Sequence, residues 1–537
     1  LNINKIFLPL IIATALSIGI FLGYKIQQKN VSETGNSSLI NPKNSSRLSE
    51  IIRYIEGRYK DKVELSEIEE GAIHELLKEL DPHSVFIPVK EMFHVNEDMN
   101  GEFEGIGIEF YILKDTIMVV TPISGGPSEQ LGIRSGDKII YIDDSIVAGI
   151  GITNMGVVSK LKGPKGTKVK ASIKRNGTKE LIDFNITRDK IPLVSVDAGF
   201  LLNDKTGYIK INRFSATTYR EFMEKLDPLV NKFKIEHLII DLRQNPGGYL
   251  EEAIKIADEL LSDRKDILYT EGYNHPKKIH RASKPGMFEE GKLTILVDEG
   301  SASASEILAG AIQDWDRGEI IGRRTFGKGL VQEQYALRDG SALRLTVAEY
   351  FTPSGRNIQK PYNPKNGEDY TDEIYNRYET GEAYNLDSLK INDTVKFYSL
   401  IKNKPLFGGG GVMPDIFIPA DTFENKLIRN LYSSDVFNQY IYDITEEDLK
   451  LITKYPSYKQ FFNNYYISDN DYKKFVAYAI AKGIEDKESL FYNPITRQTV
   501  NNRIKSLLAK RIWKNDGLYY VLMMQDKAVQ KSISNKE

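Results

Sequence analysis

A chain of 537 residues with 41% hydrophobic content holds enough material for three or four domains, because one core rarely grows past about 250 to 300 residues. The net charge of −2 argues against binding nucleic acid by bulk electrostatics, so none is expected as a partner. Without a single cysteine, disulfides, thiolate catalysis, zinc–cysteine sites and a lipidated N-terminal cysteine are excluded together.

Residues 6–24 form an apolar stretch broken only by Pro9, Thr14, Ser17 and glycines, about long enough to cross a bilayer as one helix. No small-x-small cleavage site follows before Lys25, so residues 1–25 read as an uncleaved membrane anchor in preference to a signal segment. Residues 26–46 are rich in Asn, Ser and Gly and read as a flexible linker. Leu48, Ile51, Ile52 and Ile55 then recur at helical spacing, and a second helix around residues 73–80 ends at Asp81-Pro82. This helical region, 47–98, has too few helices for its own core and is expected to dock on a neighbour or a second copy.

Across residues 99–190 the pattern changes to short strands with turn residues between them. Gly105-Ile106-Gly107-Ile108-Glu109-Phe110 opens a strand, Ser124-Gly125-Gly126-Pro127 turns into a short helix, and Gly136-Asp137-Lys138-Ile139 leads into another strand. Residues 154–161 supply a facing helix. In this order the segment resembles a PDZ domain. The resemblance implies that amides of Gly105, Ile106, Gly107 and Ile108 receive a peptide's C-terminal carboxylate while the strand edge pairs with the peptide backbone.

Beyond residue 191 the composition becomes α/β. Gly207-Tyr208-Ile209-Lys210-Ile211 reads as a strand, residues 218–233 as a helix, and residues 237–242 as a second strand ending in Asp241-Leu242-Arg243-Gln244-Asn245-Pro246-Gly247-Gly248. Glycine amides at such a strand-to-helix corner are free to donate to an anion. Residues 294–297 form another buried strand, followed by the small-residue turn Gly300-Ser301-Ala302-Ser303-Ala304-Ser305 and a helix carrying Ile307, Leu308 and Ala311. Ser303-Ala304-Ser305-Glu306 also fits a capping box, so pattern alone leaves open whether Ser303 merely starts a helix. Gly322-Arg323-Arg324-Thr325-Phe326-Gly327-Lys328 fits the phosphate-loop spacing, but Gly329 replaces the Ser or Thr that would hold magnesium, and a strand pattern follows in place of a helix. The six histidines include no H-E-x-x-H, and no metal site or cofactor is expected.

Three motifs carry a family resemblance. Residues 241–249 resemble D-L-R-x-N-P-G-G, residues 300–314 resemble G-S-A-S-A-S-E-I-x-A-G-A-x-Q-D, and residues 325–332 resemble T-F-G-K-G-x-V-Q of the carboxy-terminal processing peptidases, or tail-specific proteases. Residues 350–356 and 411–415 match two further signatures, and the resemblance covers about residues 45–420. It implies a serine endopeptidase that works through an acyl-enzyme, with Ser303 as nucleophile, Lys328 as general base and Gln332 orienting the lysine. By the same mapping the oxyanion hole is formed by amides of Ala304, Gly247 and Gly248. Sequence geometry alone does not select Ser303 over Ser301 or Ser305. A serine needs a neighbouring base, and a lysine serves only when neutral. Moving its pKa from about 10.4 to about 7 costs roughly 4 to 5 kcal/mol, which desolvation can supply. In family members a basic residue near the end of the PDZ helix couples tail binding to the catalytic site; here Lys162 stands where arginine is usual, which puts the strength of the coupling in question.

The expected architecture is therefore a multidomain α+β protein. An α/β Ser-Lys peptidase core of ClpP/crotonase-like fold spans 191–420, the PDZ domain is inserted ahead of it, and an N-terminal membrane helix and a helical C-terminal extension, 421–537, flank them. Residues 360–405 interrupt the core as a polar, tyrosine-rich insertion expected to be solvated. The C-terminal region reads as a dimerisation or docking module or as a lid over the cleft. Expected partners are protein substrates with accessible C-termini, the membrane, and a homodimer mate or adaptor. The expected location is the cell envelope, anchored in the inner membrane with the catalytic part on the periplasmic side. The competing function is an inactive PDZ scaffold that holds protein tails.

Overall fold

The computed structural model describes residues 47–534 apart from 124, 176, 263, 364–366, 389–396, 422–424, 445–451 and 487, and without the side chains of 93, 94, 98, 367–369 and 371. The apolar stretch expected to cross a membrane lies outside the described residues; among those described, no helix is long and apolar enough to do so. The chain divides into two units, residues 1–73 and 74–537. In the first, the helical spacing of Leu48 to Ile55 produces the helix Arg47–Arg58. The next helix, expected around 73–80, starts earlier and runs Leu65–Lys78.

The α/β segment is built on a six-stranded sheet in the order Val196–Leu201, Thr206–Ile211, His237–Asp241, Lys292–Val297, Glu319–Gly322, Ile416–Phe417. The first pair is antiparallel and the others parallel. Strands of a parallel sheet covered on both faces read as continuous apolar runs, as these do. Ile209, Ile211, Leu238, Ile240, Leu293, Ile295 and Val297 share one core with Phe222, Ile256 and Leu308 of the helices Thr218–Asp227, Leu250–Asp258 and Ala304–Asp314. Each such side chain, fully buried, contributes about 1.5–3 kcal/mol of transfer free energy. The intervening residues Tyr208, Ile239, Leu296 and Ile321 point to the opposite face, where Tyr520, Met523, Ala528 and Val529 cover them.

That second covering comes from the C-terminal region. Its helices Lys426–Ser433, Val436–Asp443, Tyr458–Asn464 and Asp469–Ala481 gather Leu431, Phe461 and Phe475 around Val500 of the long helical segment Pro494–Met523. Non-helical dihedrals at Trp513 and Lys514 kink that segment, and beyond the kink Tyr519 donates to Asp197 (2.9 Å) while Tyr520 enters the sheet's back face. Arg243 pairs with Asp526 at 2.7 Å, and Ser532 donates to Thr294 at 2.9 Å with His237 Nε2 3.3 Å away. His237 thus has a structural place at the start of its strand.

In the PDZ-like segment, an antiparallel sheet runs in the order Ile108–Ile112, Ile117–Pro122, Lys138–Ile142, Lys168–Lys174, Ile182–Thr187. The helix Asn154–Leu161 has the bounds its sequence predicts; Thr153 caps it by accepting from Gly156 N–H, and Val157 and Leu161 enter a core with Ile106, Ile117, Ile139 and Ile173. The chain enters and leaves through Glu102–Gly105 and Asp189–Pro192, which pair with each other. A third sheet places Leu330–Ala336 and Val85–Ile87 on either side of Ala342–Phe351.

Candidate active site

The small-residue turn after Lys292–Val297 meets the Pro-Gly-Gly turn after His237–Asp241, because the two strands are parallel neighbours and both turns leave at the same end. Asn245 stitches them together: its Nδ2 donates to Ile211 O (3.0 Å), and its carbonyl accepts from Ala302 N–H (3.0 Å) and Ser305 Oγ–H (3.0 Å). Ser301 Oγ donates to Leu242 O at 2.8 Å and accepts from Asp298 N–H at 3.0 Å. Two of the three serine hydroxyls, both on fully buried residues, are therefore committed to the backbone. Ser303 differs. It lines a cleft of about 1030 Å³, and among the described residues its hydroxyl donates to no carbonyl as those of Ser301 and Ser305 do. Its backbone is held at φ 54°, ψ −112°, a conformation that costs a non-glycine residue about 1–3 kcal/mol and persists only where the surroundings impose it.

Glu306 and Tyr350 impose it. Glu306 is fully buried, and its carboxylate accepts from the N–H groups of Ser303 (2.8 Å), Gly327 (2.7 Å) and Lys328 (2.9 Å) and from the Thr325 hydroxyl. Burial pushes this carboxyl above the ordinary glutamate range, and the four donors oppose that shift. The capping box predicted at Ser303 and Glu306 is therefore present, and the same carboxylate also holds the loop of Lys328. Tyr350 donates to Lys328 O at 2.6 Å, with Ser303 O 3.1 Å from the same hydroxyl. The serine corner and the lysine loop are thus fixed to each other through two buried side chains.

Lys328 lines the same cleft, and its ammonium makes no hydrogen bond or ion pair with the described residues. Desolvation, helped by the charge of Arg344 and opposed by Glu306 and Asp81, pushes its pKa down from 10.5 to about 8. The phosphate-loop reading has no structural counterpart, since the loop runs straight into the strand Leu330–Ala336. Gln332 also lines the cleft, but its Nε2 donates to Thr346 Oγ1 (3.4 Å), which in turn donates to Asp81 Oδ1 (3.0 Å). Asp81 further accepts from Ser84 N–H (2.9 Å) and Oγ–H (2.6 Å).

Of the three amides expected to face an oxyanion, Gly247 N–H is spent on Asn245 Oδ1 at 2.9 Å. Among the described residues, those of Ala304 and Gly248 have no acceptor. Gly247 is needed for close approach: at φ 96°, a Cβ there would lie 2.7 Å from Ala302 O and 2.8 Å from Ser303 Cβ.

In the PDZ-like segment, the amides of Ile106 and Gly107 are likewise without an acceptor among the described residues, and the Ile106 carbonyl is held by Ser128. Lys162 lies at the C-terminal end of the facing helix and pairs with Glu97 Oε2 at 2.6 Å, its ammonium 4.8 Å from the Phe103 ring centroid. Glu97 belongs to the helix Val89–Asn100, which also gives Asn96 and Met99 to the cleft.

Two expectations are corrected. The insertion, read as solvated, contains the helix Gly367–Glu379, whose Tyr370 and Arg377 are buried against the loop preceding Lys328. Its tyrosines and charges are partners for that loop's carbonyls, a pairing invisible in one dimension. The C-terminal region, read in part as a lid, contributes none of the described residues lining the cleft, because its apolar faces are used on the back of the sheet. In the sequence Glu306 is legible only as a cap, Tyr350 only within a family signature and Asp81 only as a helix end, and nothing there marks Thr346. Among the described residues, no cluster of His, Asp and Glu is placed to hold a metal ion.

Comparison with known proteins places the chain in a family. The model of peptidase family S41 matches residues 205–365, and that of a family of unknown function (DUF8443) matches residues 427–514. A carboxy-terminal-processing protease of Bartonella bacilliformis is 33% identical over 345 residues, 64% of this chain and 78% of the relative. Carboxy-terminal processing protease CtpA of Bacillus subtilis is 35% identical over 339 residues, 61% of this chain and 71% of the relative. Among solved structures, a photosystem II D1 C-terminal processing protease aligns with 25% identity and TM-score 0.37 over 70% of this chain and 86% of its own. The PDZ domain of a Vibrio cholerae carboxy-terminal protease, solved with a peptide, aligns with 32% identity and TM-score 0.16 over 17% of this chain and 99% of its own. The chain belongs to peptidase family S41 and is a serine-type peptidase.

Proposed function

We propose that this chain is an endopeptidase that recognises protein C-terminal tails through its PDZ-like segment and cleaves them with a Ser303–Lys328 dyad. The observation that carries the reading is the contrast within the serine triplet: Ser301 and Ser305 are tied to carbonyls, whereas Ser303 opens onto the cleft it shares with an unpaired, desolvated lysine. Neutral Lys328 Nζ takes the Ser303 hydroxyl proton as Oγ attacks the substrate carbonyl. The resulting oxyanion is received by the open amides of Ala304 and Gly248, in place of the Gly247 amide. Lys328 then gives its proton to the leaving amine, which departs and leaves an acyl-Ser303 ester. A water deprotonated by the same lysine hydrolyses the ester and restores the serine. Upstream, the Ile106 and Gly107 amides receive the tail's carboxylate.

The test combines a fluorophosphonate probe with peptide cleavage. Wild type should be labelled at Ser303, and Ser303→Ala and Lys328→Ala should each abolish cleavage while remaining folded, because the two act as one unit. Lys328→Arg should fail too, since a guanidinium stays protonated. Labelling at Ser301 or Ser305, or normal turnover by Ser303→Ala, would remove the assignment.

A further inference from the structure

The helix Gly367–Glu379 of the insertion places Tyr370, Glu373 and Arg377 at i, i+3 and i+7, one face, against residues 324–327. The guanidinium of Arg377, a residue 4% exposed, donates to three successive carbonyls: Nη1 to Arg324 O (3.0 Å) and Thr325 O (2.9 Å), and Nη2 to Phe326 O (3.3 Å). Glu373 fixes that guanidinium in a fork, at 2.9 Å to Nε and 2.8 Å to Nη2, and also accepts from Arg324 (2.9 Å) and Lys360 (3.1 Å). The Lys360 ammonium lies against two rings that meet edge-on, 4.0 Å from the centroid of Phe326 and 4.3 Å from that of Tyr370. Tyr370 Oη is 3.4 Å from Gly327 O. Each residue from Arg324 to Gly327 therefore has its carbonyl within reach of a side chain from the insertion, and the next residue is Lys328.

A loop carrying a run of buried carbonyls needs donors for them, and here one planar cation supplies most of them. The consequence reaches beyond stability. A base must come within hydrogen-bond distance of the proton it takes, and a misplacement of about 1 Å costs on the order of a hundredfold in rate. Glu306 holds Lys328 from its own N–H, while Arg377 holds the residues leading into it. We propose that Arg377, fixed by Glu373, is a positioning residue that sets the register of the Lys328 loop, so that the insertion tunes the general base without touching substrate. This inference rests on Lys328 being the base.

The test measures kcat, KM and pH–rate profiles for wild type, Arg377→Ala, Arg377→Lys, Glu373→Gln and Lys328→Ala in the full chain, with near-UV circular dichroism to confirm folding. Arg377→Ala is expected to lower kcat about tenfold or more with KM within about twofold. Its rate should also rise at a higher pH than in wild type, because a loosened loop rehydrates the lysine and returns it toward its ordinary value. Arg377→Lys should recover part of kcat, as a charge without the planar fork. If Arg377→Ala fails to fold, Glu373→Gln gives the same reading. A folded variant with unchanged kcat and pH profile, or with a change in KM alone, overturns the positioning role. If Lys328→Ala retains activity, the dyad itself falls; if Lys328→Ala is inactive while the Arg377 and Glu373 variants behave as wild type, only the positioning role falls.

Discussion

Glu306 sees four donors and no acceptor, so replacing its carboxylate tests how much of the site depends on one buried charge. In Glu306→Gln the new NH₂ must face N–H or O–H groups, and the expected loss is about 1–3 kcal/mol of stability. Cleavage should fall at least tenfold, because the serine corner and the lysine loop lose their common anchor. Urea unfolding and kcat measured on the same preparation check both. The pH dependence follows from Lys328, held at about 8. Protonated lysine is inactive, so cleavage should rise as pH increases through about 8 and level off above it. Its pKa is lowered on folding, so the unfolded chain binds more protons between about 8 and 10.5 and the lysine's share of stability increases with pH across that window. Neighbouring His83, pushed down to about 4 chiefly by burial and then by the Lys328 charge, stays neutral throughout this range. A bell centred below pH 7 in initial rates would contradict Lys328 as the base.

Among the elements, the PDZ-like helix Asn154–Leu161 has the clearest route to the cleft: Lys162 at its end is paired with Glu97, which shares a helix with the lining residues Asn96 and Met99. Lys162→Ala and Glu97→Gln are each expected to slow cleavage of a tail-bearing substrate, and the double variant should be no slower than the worse single one, because both remove the same contact. Tail affinity, measured by fluorescence anisotropy on the full chain, should stay within about twofold, since neither group lies among the amides proposed to receive the carboxylate. Amidating the substrate's C-terminus removes a charge-assisted bond worth roughly 1.5–3 kcal/mol and should lower cleavage about tenfold or more. Equal rates for free and amidated substrates would show that this element does not read tails.

Taken whole, the molecule is braced from behind. Phe200 on the back face is ringed by Tyr208, Tyr458 and Tyr520, with centroids 5.1, 6.1 and 5.6 Å away. The same C-terminal bundle reaches the PDZ-like sheet, where Lys510 pairs with Glu109 at 2.9 Å and Tyr442 meets Tyr111 edge-on at 6.0 Å. Phe200→Ala should cost about 3–5 kcal/mol. Because the back face does not touch the cleft, the pH profile of the remaining folded enzyme should be unchanged. Thermal unfolding with rates at several pH values checks the pair. Removing residues 427–534 would uncover Tyr208, Ile239, Leu296 and Ile321 together, and is expected to leave little soluble folded chain.

Local patterns determined much of this protein. Buried strands, helix bounds such as 154–161, the PDZ-like order of turns and the three peptidase motifs depend on short-range periodicity and turn chemistry, which one dimension records. Tertiary structure alone decided the rest. Ser301, Ser303 and Ser305 are equivalent in the sequence, and only packing against Leu242 and Asn245 commits two of their hydroxyls. Gly247 resembles Gly248 until Asn245 takes its amide. Arg377 and Glu373 read as solvated charges because their partners lie about fifty residues away in sequence, and the C-terminal helices read as ambiguous because nothing in their own periodicity identifies the face of another sheet that they cover. A desolvated lysine is likewise a property of its surroundings, not of its place in the chain.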